Sequence, residues 1–289
     1  MAVSARPASA LRLVDLAITR EKVLYAVSLL VSLVVWAGVA GSLALGAEAA
    51  TAVLTYAAIF LFVGLMVHGM MVGNIRANGI KVGPRQFPEL HRLVTEHARR
   101  IGMKTAPDAF VLQGGGTLNA FATKFFGRRF VVLYSDVLEL AYEQGEAAVG
   151  FIVAHELGHH HRGHLNLRWL LFPSRIVPYL GAAYSRACEY TCDRYGAFCQ
   201  PDGAFPGLLV LAAGKALYGR VNVVEYMKQV ETEKGYWVKR VEQMSTHPTL
   251  PKRLAALSRA GVALPKPDAV PAPDYSPMRP STAEASSIA

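Results

Sequence analysis

Two long apolar runs dominate the first quarter of the chain. Val23 to Leu45 contains no charged residue, and Thr51 to Val72 contains only His68 as a titratable one. At about 1.5 Å per residue, a helix over either run is long enough to cross a hydrocarbon core of about 30 Å. Backbone in lipid must satisfy its own polar groups, so the pattern predicts a hairpin of two membrane helices over residues 23–72, joined by the short connection Gly46–Ala50. A cleaved signal peptide ending near "GAEA" is the rival reading. The first run is longer than such a peptide's apolar core, however, and a second run follows at once. A buried soluble hairpin is the other rival, and two uncharged runs of this length argue against it.

The pattern then changes. Gly73 to Arg85 holds three glycines, a proline and scattered basic residues, and reads as a linker over 73–85. Phe87, Leu90, Val94 and Ile101 have the spacing of an amphipathic helix. His91 and His97 lie on it as ordinary surface or boundary residues. "DAFVLQ" and "RRFVVLYS" read as strands, and the extended "NAFA" between them as an edge strand. Helical periodicity resumes from "DVLEL" to "HHHRGH". "WLLFPSRIVPYLG", residues 169–181, is too short and too broken by prolines for a span, and is expected to be re-entrant, interfacial or buried. Helices follow over "SRACEYTCDRYGAF", Phe205 to Tyr218 and Val223 to Gln243. From Leu264 the composition turns to Pro, Ala and Ser, so residues 264–289 are expected to be a disordered tail. The fold class is therefore mostly α with a small β-sheet (α+β), an N-terminal hairpin leading to a domain over 86–263.

Charge adds an orientation. Arg6, Arg12, Arg20 and Lys22 precede the first run, Arg76, Lys81 and Arg85 follow the second, and only Glu48 lies between them. The positive-inside rule puts residues 1–22 and everything after the hairpin in the cytoplasm, at the plasma membrane if the source is prokaryotic. The net charge of +9 suits a domain beside an anionic leaflet. No compact basic stripe suggests nucleic acid. Three cysteines, Cys188, Cys192 and Cys199, make no disulfide framework. Cys188 and Cys192 have a spacing that could bind metal, but small buried apolar residues are the simpler reading.

The chemistry lies in "VGFIVAHELGHHHRGH", residues 149–164. His155 and His159 are four apart, so a helix projects both imidazoles from one face, with Glu156 at its border. This is H-E-x-x-H, in which two histidines bind zinc and the glutamate is a general base toward water. A third histidine at the metzincin spacing is missing, because Arg162 and Leu165 stand where Gly and His would be required. His164 is a structural hydrogen-bonding residue on this reading, and His160 and His161 are solvated or supporting ones. The third ligand is sought in "CEYTCD". Glu189 and Asp193 share a helix face, Glu189 suited to complete the metal site and Asp193 to accept from the far nitrogen of a ligand histidine. Two acids on a solvated face are the blander alternative. His247, held before Pro248, is a candidate donor to the oxyanion of a tetrahedral intermediate, with Arg253 anchoring the helix that follows.

Over about residues 86–260, "NAFA", "HELGH", "EYTCD" and "STHP" occur in the order that resembles HtpX-like membrane metallopeptidases, a family that includes the CAAX prenyl proteases. The resemblance implies a gluzincin fold, one Zn2+ per chain on His155, His159 and Glu189, and Glu156 as catalyst. It also implies that Asn119, Ala120, Phe121 and Ala122 lie along the cleft as an edge that pairs with a polypeptide substrate. HtpX itself resembles a four-span protein, and Leu165 to Tyr184 is too short for a second pair of spans. The expected function is a membrane-anchored zinc metalloendopeptidase acting on membrane or misfolded proteins on the cytoplasmic side. The alternatives are a prenyl-peptide (CAAX-type) protease and a non-catalytic metal-binding scaffold.

Overall fold

The structure, a computed structural model, describes residues 11–116, 119–144 and 146–265. The tail expected over residues 264–289 lies outside the described residues from 266 onward. Helices α1 (Thr19–Ser42) and α2 (Ala47–Asn78) form the apolar hairpin. Almost none of the most apolar stretch of α1, and none of that of α2, is buried within the protein. Apolar surface of that extent is stable against lipid and not against water, which makes this a membrane protein.

At about 1.5 Å per residue α2 is about 48 Å long and outruns a bilayer core. Its last turns serve the next layer: Val72 and Ile75 are buried against Phe110, Phe130 and Val132 of the sheet. The stretch expected as a linker over 73–85 is therefore helix as far as Asn78, followed by strand β1 (Ile80–Lys81). Glycine content suggested a break at Gly73, whereas the packing of Val72 and Ile75 carries the helix through it. Strands β2 (Asp108–Leu112), β3 (Ala120–Phe125) and β4 (Arg128–Tyr134) complete a sheet of order β1-β2-β4-β3. β2 and β4 run parallel, and β3 pairs antiparallel to β4 alone, so it is the edge that "NAFA" suggested.

Helix α3 (Pro88–Arg100) packs on α5 (Ala147–Arg162), and α4 (Ser135–Gln144) leads from the sheet into α5. α5 is the centre of the core, with Val149, Phe151, Val153, Ala154 and Leu157 all buried. His97 on α3 is also fully buried and not at the surface. After the short α6 (Phe172–Ile176), helix α7 (Leu180–Cys199) crosses α5 closely. A Cβ at Gly196 would stand 2.6 Å from the ring of Phe151. Gly196→Ala is therefore expected to cost about 1–3 kcal/mol through overpacking, read as a lower thermal midpoint of the detergent-solubilised protein.

The segment expected to be re-entrant, interfacial or buried packs beside the spans. Trp36 Nε1 on α1 donates to the Leu170 carbonyl at 2.9 Å, and Ser174 N donates to Ser32 Oγ at 3.2 Å. On the other helix, Phe60 meets the rings of Trp169 and Phe172. The apolar residues of 169–176 thus cover the middle of both spans, where the carbonyl freed by Pro-broken backbone finds the indole as its donor.

Helices α8 (Ala204–Leu217), α9 (Val223–Thr232), α10 (Tyr236–Met244) and α11 (Leu250–Arg259) finish the fold. The single helix expected over Val223 to Gln243 is two, broken over residues 233–235. The Asn222 side chain caps α9 by accepting from Val224 N and Glu225 N.

Candidate active site and metal centre

Helices α5 and α7 bring together the residues singled out in their sequences. Their crossing places the Nε2 atoms of His155 and His159 at 3.5 and 3.4 Å from the two oxygens of Glu189. Glu156, Leu165, His247 and Arg253 line the same cleft of about 240 Å³, as do Asn119, Ala120, Phe121 and Ala122 from the β3 edge. His247 approaches from the exposed side, its Nε2 3.6 Å from Glu189 Oε1 and its side chain 64% exposed. No tyrosine lines the cleft among the described residues.

Each imidazole has its other nitrogen engaged. His155 Nδ1 lies 3.0 Å from Asp193 Oδ1. His159 Nδ1 lies 3.0 Å from His164 Nδ1, and His164 Nε2 lies 3.2 Å from Glu21 Oε1. For a metal to bind, His159 would donate to His164 and His164 to Glu21, which would leave the Nε2 lone pairs of His155 and His159 free for the ion. Burial holds the His164 imidazole below its ordinary value, in keeping with its neutral place in this chain. Glu21 also accepts from Arg162 Nε and Nη2 at 3.1 and 2.9 Å. Sequence reading missed Glu21, although an acid set between Arg20 and Lys22 at the edge of an apolar run was the available signal.

Arg253 does more than anchor α11. It is buried, donates Nε to Asp193 Oδ2 at 2.8 Å, and sets Nη1 3.5 Å from Glu189 Oε2. Burial alone would raise the Glu189 carboxyl, but hydrogen bonds from His155 and His159 hold it well below its usual range. Burial likewise opposes the charged form of His155, yet Asp193 and Glu189 lift that imidazole to about 10 in the metal-free protein.

Four donors could serve a metal: His155, His159, Glu189 and Cys192, the last lying within 4.8 Å of ligand atoms of both histidines. The geometry favours Glu189 over Cys192. Cys192 is fully buried, does not line the cleft, and has its Sγ 3.3 Å from where a Cβ on Gly158 would lie, between α5 and α7. Burial also pushes its thiol well up, away from the thiolate a metal requires. Two imidazole nitrogens and a carboxylate facing one point beside open cleft match the donor set of a catalytic zinc site with a position left for substrate. Glu189→Ala is expected to abolish stoichiometric zinc in the purified protein while Cys192→Ala retains it; the reverse result in elemental analysis would reassign the third ligand.

Of the two histidines read as solvated or supporting, His160 is buried and His161 is exposed. His160 donates Nε2 to the Phe130 carbonyl at 2.9 Å, tying α5 to β4, and His161 Nδ1 meets Tyr195 Oη at 2.9 Å. Burial pulls His160 down to about 4 from 6.5. A depressed histidine is neutral in the fold and charged in the unfolded chain over that window. Stability should therefore decline as pH falls from 6.5 toward 4, and a His160→Gln variant should flatten that part of the pH–melting curve.

A family model for Peptidase family M48 matches residues 84–177 and 169–260, and the chain belongs to that family. This agrees with the order of the four motifs. M48 metallopeptidases are zinc-dependent. No curated protein sequence matches it significantly. The crystal structure of Ste24p from S. mikatae is similar at 15% identity and a TM-score of 0.47, over 81% of this chain and 66% of that one. The chain thus spans just under two thirds of that protein's length.

Proposed function

We propose that this protein is a membrane-anchored zinc metalloendopeptidase that hydrolyses peptide bonds of membrane or misfolded proteins on the cytoplasmic side. The observation that carries the reading is the convergence of His155 Nε2 and His159 Nε2 on the Glu189 carboxylate, with Glu156 lining the same cleft. His155, His159 and Glu189 would hold the metal. When bound, zinc polarises a carbonyl and makes water acidic enough to act near neutral pH. Glu156 would take a proton from a water in the cleft and deliver it to the leaving amine. Asp193 fixes the tautomer of His155, and His247 stands on the open side to donate to the oxyanion.

The β3 edge supplies the substrate's place. Its outer side has no strand partner among the described residues, and Asn119 to Ala122 border the cleft. An extended peptide laid along it gains main-chain hydrogen bonds with little demand on its side chains, which suits varied polypeptides. Among the described residues none of α1 or α2 lines the cleft, so the hairpin itself offers this cleft no wall for an isoprenoid. The positive flanks of the hairpin support the cytoplasmic placement. Cleavage of casein by the detergent-solubilised protein, abolished by a chelator and restored by zinc, is the expected result. Stoichiometric zinc with no cleavage of casein or of any unfolded membrane protein would favour the scaffold reading instead.

A further inference from the structure

Helix α10 is built inside out. Trp237, Val241 and Met244 follow one another at helical spacing and are 77%, 65% and 73% exposed. The polar side faces the protein: Arg240 donates to Tyr179 Oη, Glu242 pairs with Lys252, and Arg186 holds the Gln243 carbonyl. A helix that turns its polar face inward and a tryptophan stripe outward is stable in water only if something apolar covers the stripe.

The position of α10 says what covers it. Helix α7 runs antiparallel to α1: Ile18 N donates to Thr191 Oγ1, and further along Tyr184 lies beside Tyr25. Tyr179, at the start of α7, lies beyond Tyr184, toward the middle of the span, and α6 just before it touches Ser32. α10 is fastened to this stretch at its middle, by Arg240 to Tyr179, and at its C-terminal end, by Arg186 to the carbonyls of Gln243 and Ser245. Arg186 falls on α7 between Tyr184 and Thr191, level with the start of α1 at the basic flank of the first span. α10 therefore lies beside the level at which α1 passes from its charged flank into its apolar run. Tryptophan and tyrosine with Lys234, Lys239 and Arg240 around them are the composition of a helix resting in a headgroup region.

We propose that α10 is an interfacial membrane-docking helix, its Trp237–Val241–Met244 stripe set into the boundary between headgroups and acyl chains of the same bilayer that α1 and α2 cross. The proposal rests on the reading of α1 and α2 as spans. It gives the bilayer a hold on the site, because His247 comes three residues after Met244.

The test is tryptophan quenching in the full-length protein, reconstituted as single copies in nanodiscs whose lipids carry bromine, in one set near the headgroup end of the chains to reach Trp237 and in another near the bilayer centre to reach Trp36. Two single-tryptophan variants, retaining Trp36 or Trp237 with the other tryptophans changed to Phe, are compared in brominated and ordinary discs. If either fails to fold, the difference between wild type and Trp237→Phe reports the same component. Emission from Trp237 is expected to be blue-shifted and roughly halved by bromolipid. Quenched Trp36 with unquenched, water-like Trp237 overturns the proposal and leaves the spans standing; a stripe reserved for a second copy or a soluble partner would give this result. If neither is quenched, the spans themselves are wrong and the proposal falls with them.

Discussion

Glu156→Gln should purify with the zinc content of the wild type and cleave unfolded protein roughly a hundredfold to ten-thousandfold more slowly. The side chain borders the cleft beside both imidazoles, and among the described residues no hydrogen bond or ion pair claims its carboxylate. Glutamine keeps the shape and hydrogen-bonding reach of glutamate but cannot accept a proton at neutral pH. The metal donors His155, His159 and Glu189 are untouched by the change, so metal content and activity should separate. Elemental analysis alongside a single-turnover cleavage assay reads both. Full activity in this variant would remove Glu156 from the chemistry, and loss of zinc would show that it holds the metal.

The second large effect is expected from Arg253→Met. Its guanidinium is the buried cation facing two buried carboxylates, Asp193 and Glu189. Those acids are charged in the fold because this cation and the imidazoles offset the burial that would otherwise neutralise them. Removing one partner of such a cluster costs about 3–5 kcal/mol, far more than the cluster's own net contribution to stability. The thermal midpoint of the metal-free protein should fall on the order of 10 °C. Arg253→Lys should fall between the two, since an ammonium keeps the charge and loses the fork that spans Nε and Nη2. A midpoint within a degree of the wild type for Arg253→Met would mean that the carboxylates do not depend on this residue.

The parts of this molecule legible in its sequence are those with short-range periodicity. Helical spacing alone put His155 beside His159 and Glu189 beside Asp193, and hydropathy alone marked the two spans. The convergence of α5 on α7 is a tertiary fact, and "EYTCD" pointed to it only because zinc chemistry needs a third ligand. Gly73 to Arg85 was misread because glycine lowers helix propensity, while the burial of Val72 and Ile75 on the sheet overrides it. His160 read as either solvated or supporting, and only its position on α5, which turns it to the Phe130 carbonyl, decides between them. Arg253 looked like a helix anchor because nothing local shows that its guanidinium reaches Asp193 on another helix.

The hydrogen-bonded path from His159 through His164 to Glu21 begins on one side of the cleft and ends on the first turn of α1. Cutting the protein after its hairpin to obtain a soluble peptidase would discard the carboxylate that terminates this path. Arg162 and His164 would then face a gap where their counter-charge had been. Any enzymologist wanting a lipid-free version of this molecule would have to rebuild that first turn, because the anchor also holds a cleft histidine in place through His164.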